Sequence, residues 1–310
     1  MPNQPKVSII TPSYNQGRYL DECIQSVLGQ DYPNIEYIII DGGSADGSPE
    51  IIRKYADRLF YWISEPDGGQ SAALNKGLLR ATGDIWAWMN SDDAYLPGAV
   101  RKAVEWLVGH PEDDIVFGDC LMVNEAGQAQ RSLQAGKTNF PAMLTGRINI
   151  PSGSAFLRRS VRSRVGDFDE GLHYLLDSDY WLRAMQQTCS FGYIPEALSF
   201  YRVYPGAKTW DMAQSKKRGQ EVMLVHERFW SQSDIPAQVR HLRARSLANA
   251  YLYAAHLACQ VNDRELCWYY VQKSMGQGLP AVCPRLARLL LYLLFGRETE
   301  NFLQKTLLRR

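Results

Sequence analysis

The densest chemistry in the sequence is Asn90-Ser91-Asp92-Asp93, which follows an apolar run over residues 85–89. Two adjacent carboxylates at the end of a strand repel each other unless a cation neutralises them. Oxygen ligands suit Mg2+ or Mn2+, and Mg2+ takes one or two carboxylates together with phosphate oxygens. The competing reading is a solvated turn in which Asp93 caps a helix. Asp41 closes a second apolar run and is followed by Gly42-Gly43-Ser44-Ala45-Asp46-Gly47-Ser48. Its carboxylate fits an Asx-turn, and it equally fits a ligand contact in a loop whose glycines allow close backbone approach. The patterns G-x-G-x-x-G, G-x-x-x-x-G-K-[ST], G-x-S-x-G and H-E-x-x-H are absent. Dinucleotide-binding, P-loop, hydrolase and zincin readings therefore lack their anchors.

These residues need a scaffold, and the surrounding pattern supplies one. Residues 7–10, 35–40, 60–63 and 85–89 read as buried strands, the first stopped by Thr11-Pro12. Helical spacing of apolar residues covers 18–28, 49–55, 71–79 and 96–108. Strands alternating with helices imply an α/β fold of parallel units with right-handed crossovers. Each polar loop then lies at the C-terminal end of a strand, the edge where open α/β sheets bind ligands. From Asp114 the pattern changes. Two short strands are expected at 115–117 and 121–123 around Gly118-Asp119, another at 153–157, a helix at 180–185 and a strand at 199–203. Beyond about Ser233 the chain reads as helix, with 237–261 and 264–275 joined by Asn262-Asp263.

The composition fits a globular protein: 310 residues, 45% hydrophobic, 22% charged, net charge +1. It excludes a disordered chain, and it lacks the positive excess of a nucleic-acid binder. The near-neutral total hides an asymmetry. Residues 231–310 hold 11 Lys and Arg against 5 Asp and Glu, so an acidic body carries a basic tail. The six cysteines (Cys23, Cys120, Cys189, Cys259, Cys267, Cys283) form no C-x-x-C pair, which argues against zinc or a disulfide framework and for a reducing compartment. The first residues lack a signal-peptide core, and the apolar stretch near 286–295, interrupted by Arg288, is about half a membrane span. A cytoplasmic location is expected, with peripheral contact at the inner membrane face left open.

The loops together resemble a known family. Thr11-Pro12-Ser13-Tyr14-Asn15, the Asp41–Ser48 loop, and Gly83-Asp84 through Asn90-Ser91-Asp92-Asp93 look like the inverting glycosyltransferases of family 2, which have the nucleotide-sugar-binding GT-A fold. Glu65-Pro66-Asp67-Gly68-Gly69-Gln70, with Asn75-Lys76-Gly77, is similar to the WcaA-like subgroup. Ser152 to Arg159, Val165 to Glu170, and Asp177-Ser178-Asp179-Tyr180-Trp181-Leu182-Arg183 are similar to the acceptor half of the family. The resemblance covers roughly residues 5–210. It implies a GT-A catalytic domain over 1–230, with a nucleotide-sugar half to about 113 and an acceptor half from about 114, followed by a helical extension over 231–310.

The resemblance also implies roles. Thr11, Pro12 and Tyr14 would line the nucleoside pocket, and Asp41 would accept a hydrogen bond from uracil or thymine. Asn75 would lie on the donor side. Asp92 and Asp93 would hold Mn2+ or Mg2+ against the diphosphate of a UDP- or dTDP-linked sugar. Asn90 stands where the family's D-x-D motif has its first aspartate. Asp177 matches the general base, with Asp179 as its nearest rival and Leu176 where many members carry Glu. The acceptor would be a hydroxyl of a glycan or a lipid-linked saccharide, as in surface polysaccharide synthesis. Tyr204 stands where similar enzymes often have His, and Arg202 with Lys208 would bring positive charge to the phosphates.

Other features have blander readings. The five histidines form no ligand pattern, although His173 lies four residues before Asp177. Trp86 and Trp88 are core candidates, with one of them able to face a sugar. Arg158, Arg159 and Arg183 are expected to support the fold. Leu286, Leu289, Leu290 and Leu293 recur at helical spacing beside Arg285 and Arg288. That stripe suits an anionic membrane surface, the catalytic domain or a homodimer partner. Two rival functions are a non-catalytic scaffold and a sugar-nucleotide nucleotidyltransferase. The second needs a basic glycine-rich loop after the first strand, and Thr11-Pro12-Ser13-Tyr14-Asn15 is not one.

Overall fold

A computed structural model describes residues 4–146, 150–208, 211–278 and 284–295. Cys283 lies outside the described residues. The chain forms two compact units, Met1–Asn139 with Ile148–Ala207, and Phe140–Arg147 with Lys208–Arg310. The longer stretch of the second unit starts at Lys208.

The first unit alternates strands and helices: β1 (Val7–Ser13), α1 (Gly17–Leu28), β2 (Ile35–Asp41), α2 (Ser48–Arg53), β3 (Tyr61–Ser64), α3 (Gln70–Arg80), β4 (Ile85–Trp88), β5 (Ala94–Tyr95) and α4 (Ala99–Gly109). It continues with β6 (Ile115–Val123) and β7 (Ala129–Leu133). In chain order α5 (Phe140–Leu144) comes next and belongs to the second unit. The first unit resumes with β8 (Ala155–Arg158), α6 (Arg159–Val165), α7 (Leu176–Gln186) and β9 (Phe191–Arg202). The strands form one sheet in the order β3-β2-β1-β4-β8-β6-β9-β5, with β7 on β6. Pairs β3-β2-β1-β4 and β6-β9 are parallel, while β8 runs antiparallel to both of its neighbours. Parallel strands buried on both faces are near-continuous apolar runs, as Val7, Ile9, Ile10 and Ile38 to Ile40 show. The expected α/β class and GT-A-like architecture are present.

Two departures have local causes. β1 continues through Thr11-Pro12 to Ser13, because β4 pairs with it only as far as Ile10. Past that point one side of β1 is open, so the missing N–H of Pro12 interrupts no ladder. The two short strands expected around Gly118-Asp119 are a single strand, β6, whose register against β9 shifts at Gly118 and Asp119. A Cβ on Gly118 would lie 2.6 Å from Leu198 Cγ, so this glycine serves a close crossing rather than a turn.

The second unit contains α8 (Ser215–Ser231), α9 (Arg243–Gln260), α10 (Arg264–Met275) and α11 (Pro284–Phe295). Asn262 adopts a left-handed φ of 58° and Asp263 caps α10 by accepting from Leu266 N at 3.0 Å, which makes the Asn262-Asp263 corner. Helix α8 carries no expectation from the sequence patterns above. Leu289 and Tyr292 of α11 are buried, so part of the apolar stripe is turned inward, and Tyr292 donates to Asn262 Oδ1 at 2.9 Å. Trp268 and Tyr269 of α10 are 44% and 48% exposed. No helix among the described residues is long and apolar enough to cross a membrane. The described cysteines are all buried, and none is in a disulfide.

Candidate active site

The loops after β1, β2, β3 and β4 converge at the C-terminal edge of the parallel strands. The first two are laced together. Asn15, in a left-handed conformation at φ 51°, donates its N–H to Ser44 Oγ at 2.7 Å, and its own Oδ1 accepts from Ala45 N at 3.0 Å. Gly17 N, at the start of α1, donates to Asp46 Oδ2 at 2.8 Å. Burial pushes the Asp46 carboxyl up, but the Ser48 hydroxyl and the backbone N–H groups of Gly17 and Ser48 together hold it below its usual range. Asp41 is fully buried and accepts from Ser44 N, Ser44 Oγ and Ser64 Oγ at 2.6 to 2.9 Å. Thr11 is also fully buried and shares a 2.9 Å hydrogen bond with Tyr37 Oη. Pro12 is buried beside it, whereas Tyr14 is 64% exposed.

The acidic loop after β4 is held from behind. Asp93 is 6% exposed, and its two oxygens accept from Arg202 N at 2.9 Å and Asn90 Nδ2 at 3.1 Å. Burial first, and the Asp92 charge second, push the Asp93 carboxyl well above the usual carboxylate range. Helix α4 starts only at Ala99, so Asp93 is not its cap. Asn90 Oδ1 accepts from Gln70 Nε2 at 2.8 Å. Asp92 is half-buried, its Oδ2 accepts from Tyr204 Oη at 3.0 Å, and its carbonyl accepts from Arg202 Nε at 3.1 Å. Arg202 is 2% exposed and also bonds Glu22 Oε2 and the carbonyls of Asn124 and Glu125, with its guanidinium over the ring of Tyr19. Every nitrogen of that guanidinium therefore has a protein partner. Lys208 belongs to the second unit.

Helix α3 joins this loop to the segment before α7. Gln70 in its first turn reaches Asn90, Ser71 Oγ donates to Leu172 O at 2.9 Å, and Asn75 bonds the Phe168 backbone through both ends of its amide at 2.9 Å. Asn75 Nδ2 also reaches Glu170 Oε1 at 3.0 Å. His173 lies over Gly69, whose added Cβ would be 3.6 Å from its Nδ1. Gly69 itself sits at φ 105°, which only glycine adopts without strain. Asp177 is half-buried in the first turn of α7, where its Oδ1 accepts from Ser178 N at 2.7 Å. Asp179 is 4% exposed and paired with Arg183 at 2.7 Å.

The remaining polar and aromatic residues fall mainly to the core. Trp86 and Trp88 are buried in a stack with Phe168, Tyr180 and Trp181. Arg158, Arg159 and Arg183 bond backbone carbonyls, as expected of fold-supporting residues. Gln70 and Ser71 join the site through Asn90 and Leu172, partners that no local sequence pattern marks. The Glu65–Gln70 run was visible, but the partner across the sheet edge was not. Among the described residues no three His, Cys, Asp or Glu are close enough to form a metal cluster. The residues that are present do fit a cation that shares a diphosphate's oxygens, with Asp92 the less buried of two adjacent carboxylates.

Comparison with known proteins follows the same lines. The chain is 30% identical over 191 residues to an uncharacterized glycosyltransferase of Rickettsia felis, which covers 59% of this chain and 32% of that protein. The chain thus spans about a third of that relative's length. A solved structure of the mannosyltransferase PcManGT from Pyrobaculum calidifontis, in complex with GDP-Man and Mn2+, superposes with a TM-score of 0.64 at 18% identity, covering 98% of this chain and 84% of that one. A structure of residues 1–349 of S. aureus TarS with UDP-GlcNAc gives 0.59 at 16% identity, covering 94% and 92%. At such identities the likeness shows the fold. Residues 8–164 match the family described as glycosyl transferase family 2, and with half of its length so matched the chain belongs to that family.

Proposed function

We propose that this chain is an inverting, metal-dependent glycosyltransferase of the WcaA-like subgroup. It moves a hexose from a UDP- or dTDP-linked sugar to a hydroxyl of a glycan or lipid-linked acceptor, as surface polysaccharide synthesis requires. The observation that carries this reading is the three-point attachment of α3. Gln70 grips the acidic loop while Ser71 and Asn75 grip the segment leading to Asp177, so one rigid helix sets the donor end against the base end.

In this reading Asp41 recognises the base. It does so from beneath the pocket, where its three hydrogen bonds to Ser44 and Ser64 hold the loop that a uracil or thymine base would meet. Tyr14, exposed at the mouth, covers the nucleoside, with Thr11 and Pro12 forming the floor. Asp92 holds Mn2+ or Mg2+, which would screen the charge that develops on the leaving diphosphate. Asp93, Arg202 and Asn75 act from behind, since their polar atoms are bonded to protein. Asp177 takes the proton of the acceptor hydroxyl as that oxygen attacks opposite the leaving group, which inverts the anomeric centre without an enzyme nucleophile. Asp179 is unsuited to that task because Arg183 already holds it.

A panel of nucleotide sugars read by thermal shift, with and without Mn2+, tests the donor. Stabilisation by a UDP- or dTDP-sugar only when Mn2+ is present is the expected result, and no shift with any sugar contradicts it. Cytoplasmic location and contact with the inner membrane face belong to the same proposal. Exposed Trp268 and Tyr269 of α10 are the natural contact residues, given the basic excess of residues 231–310. Unchanged sedimentation with anionic liposomes after Trp268→Ser and Tyr269→Ser would reject that contact.

A further inference from the structure

The second unit contains a cavity of about 320 Å³ lined wholly by its own residues. Helical spacing builds the wall. Glu227 and Trp230 stand three residues apart on α8, while Arg243, Leu247 and Tyr251 recur every four residues on α9, so each set lies on one helix face. Gln277, just past the end of α10, adds a further side. The volume falls at the lower end of the range for small-molecule sites, about 300–1,000 Å³.

Two hydrogen bonds between α8 and α9 fix this lining. Trp230 Nε1 donates to Ser246 Oγ at 3.0 Å, and Tyr251 Oη donates to Glu227 Oε1 at 3.1 Å. Trp230, Leu247 and Tyr251 are buried, whereas Glu227 and Arg243 are exposed. Burial first, and Glu227 next, push the Tyr251 phenol up to about 12, so it stays a donor and holds one oxygen of that carboxylate in place. The other polar atoms are uncommitted. Glu227 Oε2 and the Arg243 guanidinium have no partner among the described residues, and the two side chains do not pair with each other. Gln277 bonds Lys273 O through its amide nitrogen, which leaves its side-chain oxygen open.

A purely anionic guest would meet Glu227 and a purely cationic one Arg243, so the lining selects a molecule without net charge. Carboxylate, guanidinium and amide are planar groups that can each engage two neighbouring hydroxyls, and the apolar floor suits the C–H face of a pyranose. We propose that this cavity is a saccharide site, which takes a sugar ring of a neutral glycan between the Glu227 carboxylate and the Arg243 guanidinium. The binding itself is independent of turnover. Its consequence, better use of long acceptors than of short ones, rests on the glycan-acceptor reading above.

The test is saturation-transfer NMR and calorimetric titration of the full chain with glucose, galactose, rhamnose, N-acetylglucosamine and their disaccharides, and with alanine as a zwitterionic probe. A Kd of about 1 mM for at least one sugar is expected, the range of a ligand this small. Arg243→Ala and Glu227→Gln alter exposed side chains, and the second keeps a partner for Tyr251, so both should hold the melting temperature. Arg243→Ala should weaken that sugar by about tenfold, the worth of hydrogen bonds to a charged group, and Glu227→Gln several-fold. Asp177→Asn should bind it as tightly as the unmodified chain. In turnover assays Arg243→Ala should raise KM for a long glycan acceptor and leave kcat and KM for a short one unchanged. Sugar affinity unaltered by both cavity substitutions overturns the placement, binding of alanine without any sugar overturns the saccharide class, and binding of no probe overturns the site. A chain that binds sugar in the Arg243-dependent manner but turns over no donor supports the cavity while contradicting the function proposed above.

Discussion

Gln70 donates its side-chain amide to Oδ1 of Asn90 at 2.8 Å, and that bond fixes which end of the Asn90 amide faces Asp93. With its oxygen turned to Gln70, Asn90 presents an NH2 donor to a buried carboxylate. An aspartate at position 90 would present a third negative charge there instead. The substitution relative to a D-x-D motif and the burial of Asp93 are thus parts of one arrangement.

Gln70→Ala removes the anchor of that arrangement while leaving α3 intact. Residues that orient a metal-site loop typically account for about 10- to 100-fold in metal affinity or activity. Turnover should fall by that factor while stability changes by about 1 kcal/mol, the usual net worth of one hydrogen bond. Steady-state kinetics beside a urea denaturation curve separates the two effects.

Arg202→Met should act mainly on folding. The guanidinium is buried and satisfies three carbonyls and Glu22, so its loss strands several acceptors behind the acidic loop. A loss of about 3 kcal/mol is expected. A urea midpoint equal to that of the unmodified chain would contradict this placement.

Gly77→Ala tests the fit of α3 against the sheet. A Cβ at this position would meet Ile10 Cγ2 at 2.5 Å, deep in the core. Overpacking of this kind costs about 1–3 kcal/mol, or displaces α3 and with it Gln70, Ser71 and Asn75. Thermal unfolding reads the first outcome, and reduced turnover at full occupancy of donor reads the second.

The second unit should carry its own pH dependence. His226 Nδ1 is 3.1 Å from Ser246 Oγ, which already accepts from Trp230 Nε1 at 3.0 Å. Ser246 therefore donates to an unprotonated Nδ1, and burial lowers the His226 pKa from 6.5 to about 4. The unfolded chain takes up this proton first as pH falls, so His226 costs stability between about pH 6.5 and 4, on the order of 3 kcal/mol in all. His226→Gln should flatten the melting temperature across that window. An unchanged slope would show that another group sets it.

Much of this was legible because the first half of the chain obeys local rules. Ile38 to Ile40 closed by Asp41, and Ile85 to Met89 closed by Asn90, each announce a buried parallel strand and its loop within ten residues. Asn262-Asp263 likewise reads as a corner from residue type alone. The illegible parts depend on distant partners. Thr11-Pro12 reads as a stop, yet β1 runs on because β4 ends opposite Ile10. Gly118 reads as a turn, yet it serves the close passage of Leu198. In the candidate site, residue type points to Asp92 and Asp93 but not to which is the more buried, because Asp93 is held by the backbone of Arg202, 109 residues away along the chain. Arg202 and Asn75 carried a polar signal that suits a ligand equally well, and only their bonded partners show how they are used.

The most direct test of the whole account is release of nucleoside diphosphate from the stabilising UDP- or dTDP-sugar in the presence of Mn2+ and acceptor, comparing the unmodified chain with Asp177→Asn. The account predicts release by the unmodified chain and a loss of about 100- to 10,000-fold in the variant, with donor affinity unchanged. An Asp177→Asn variant that turns over at the unmodified rate, or a chain that releases nothing from any donor it binds, would contradict it.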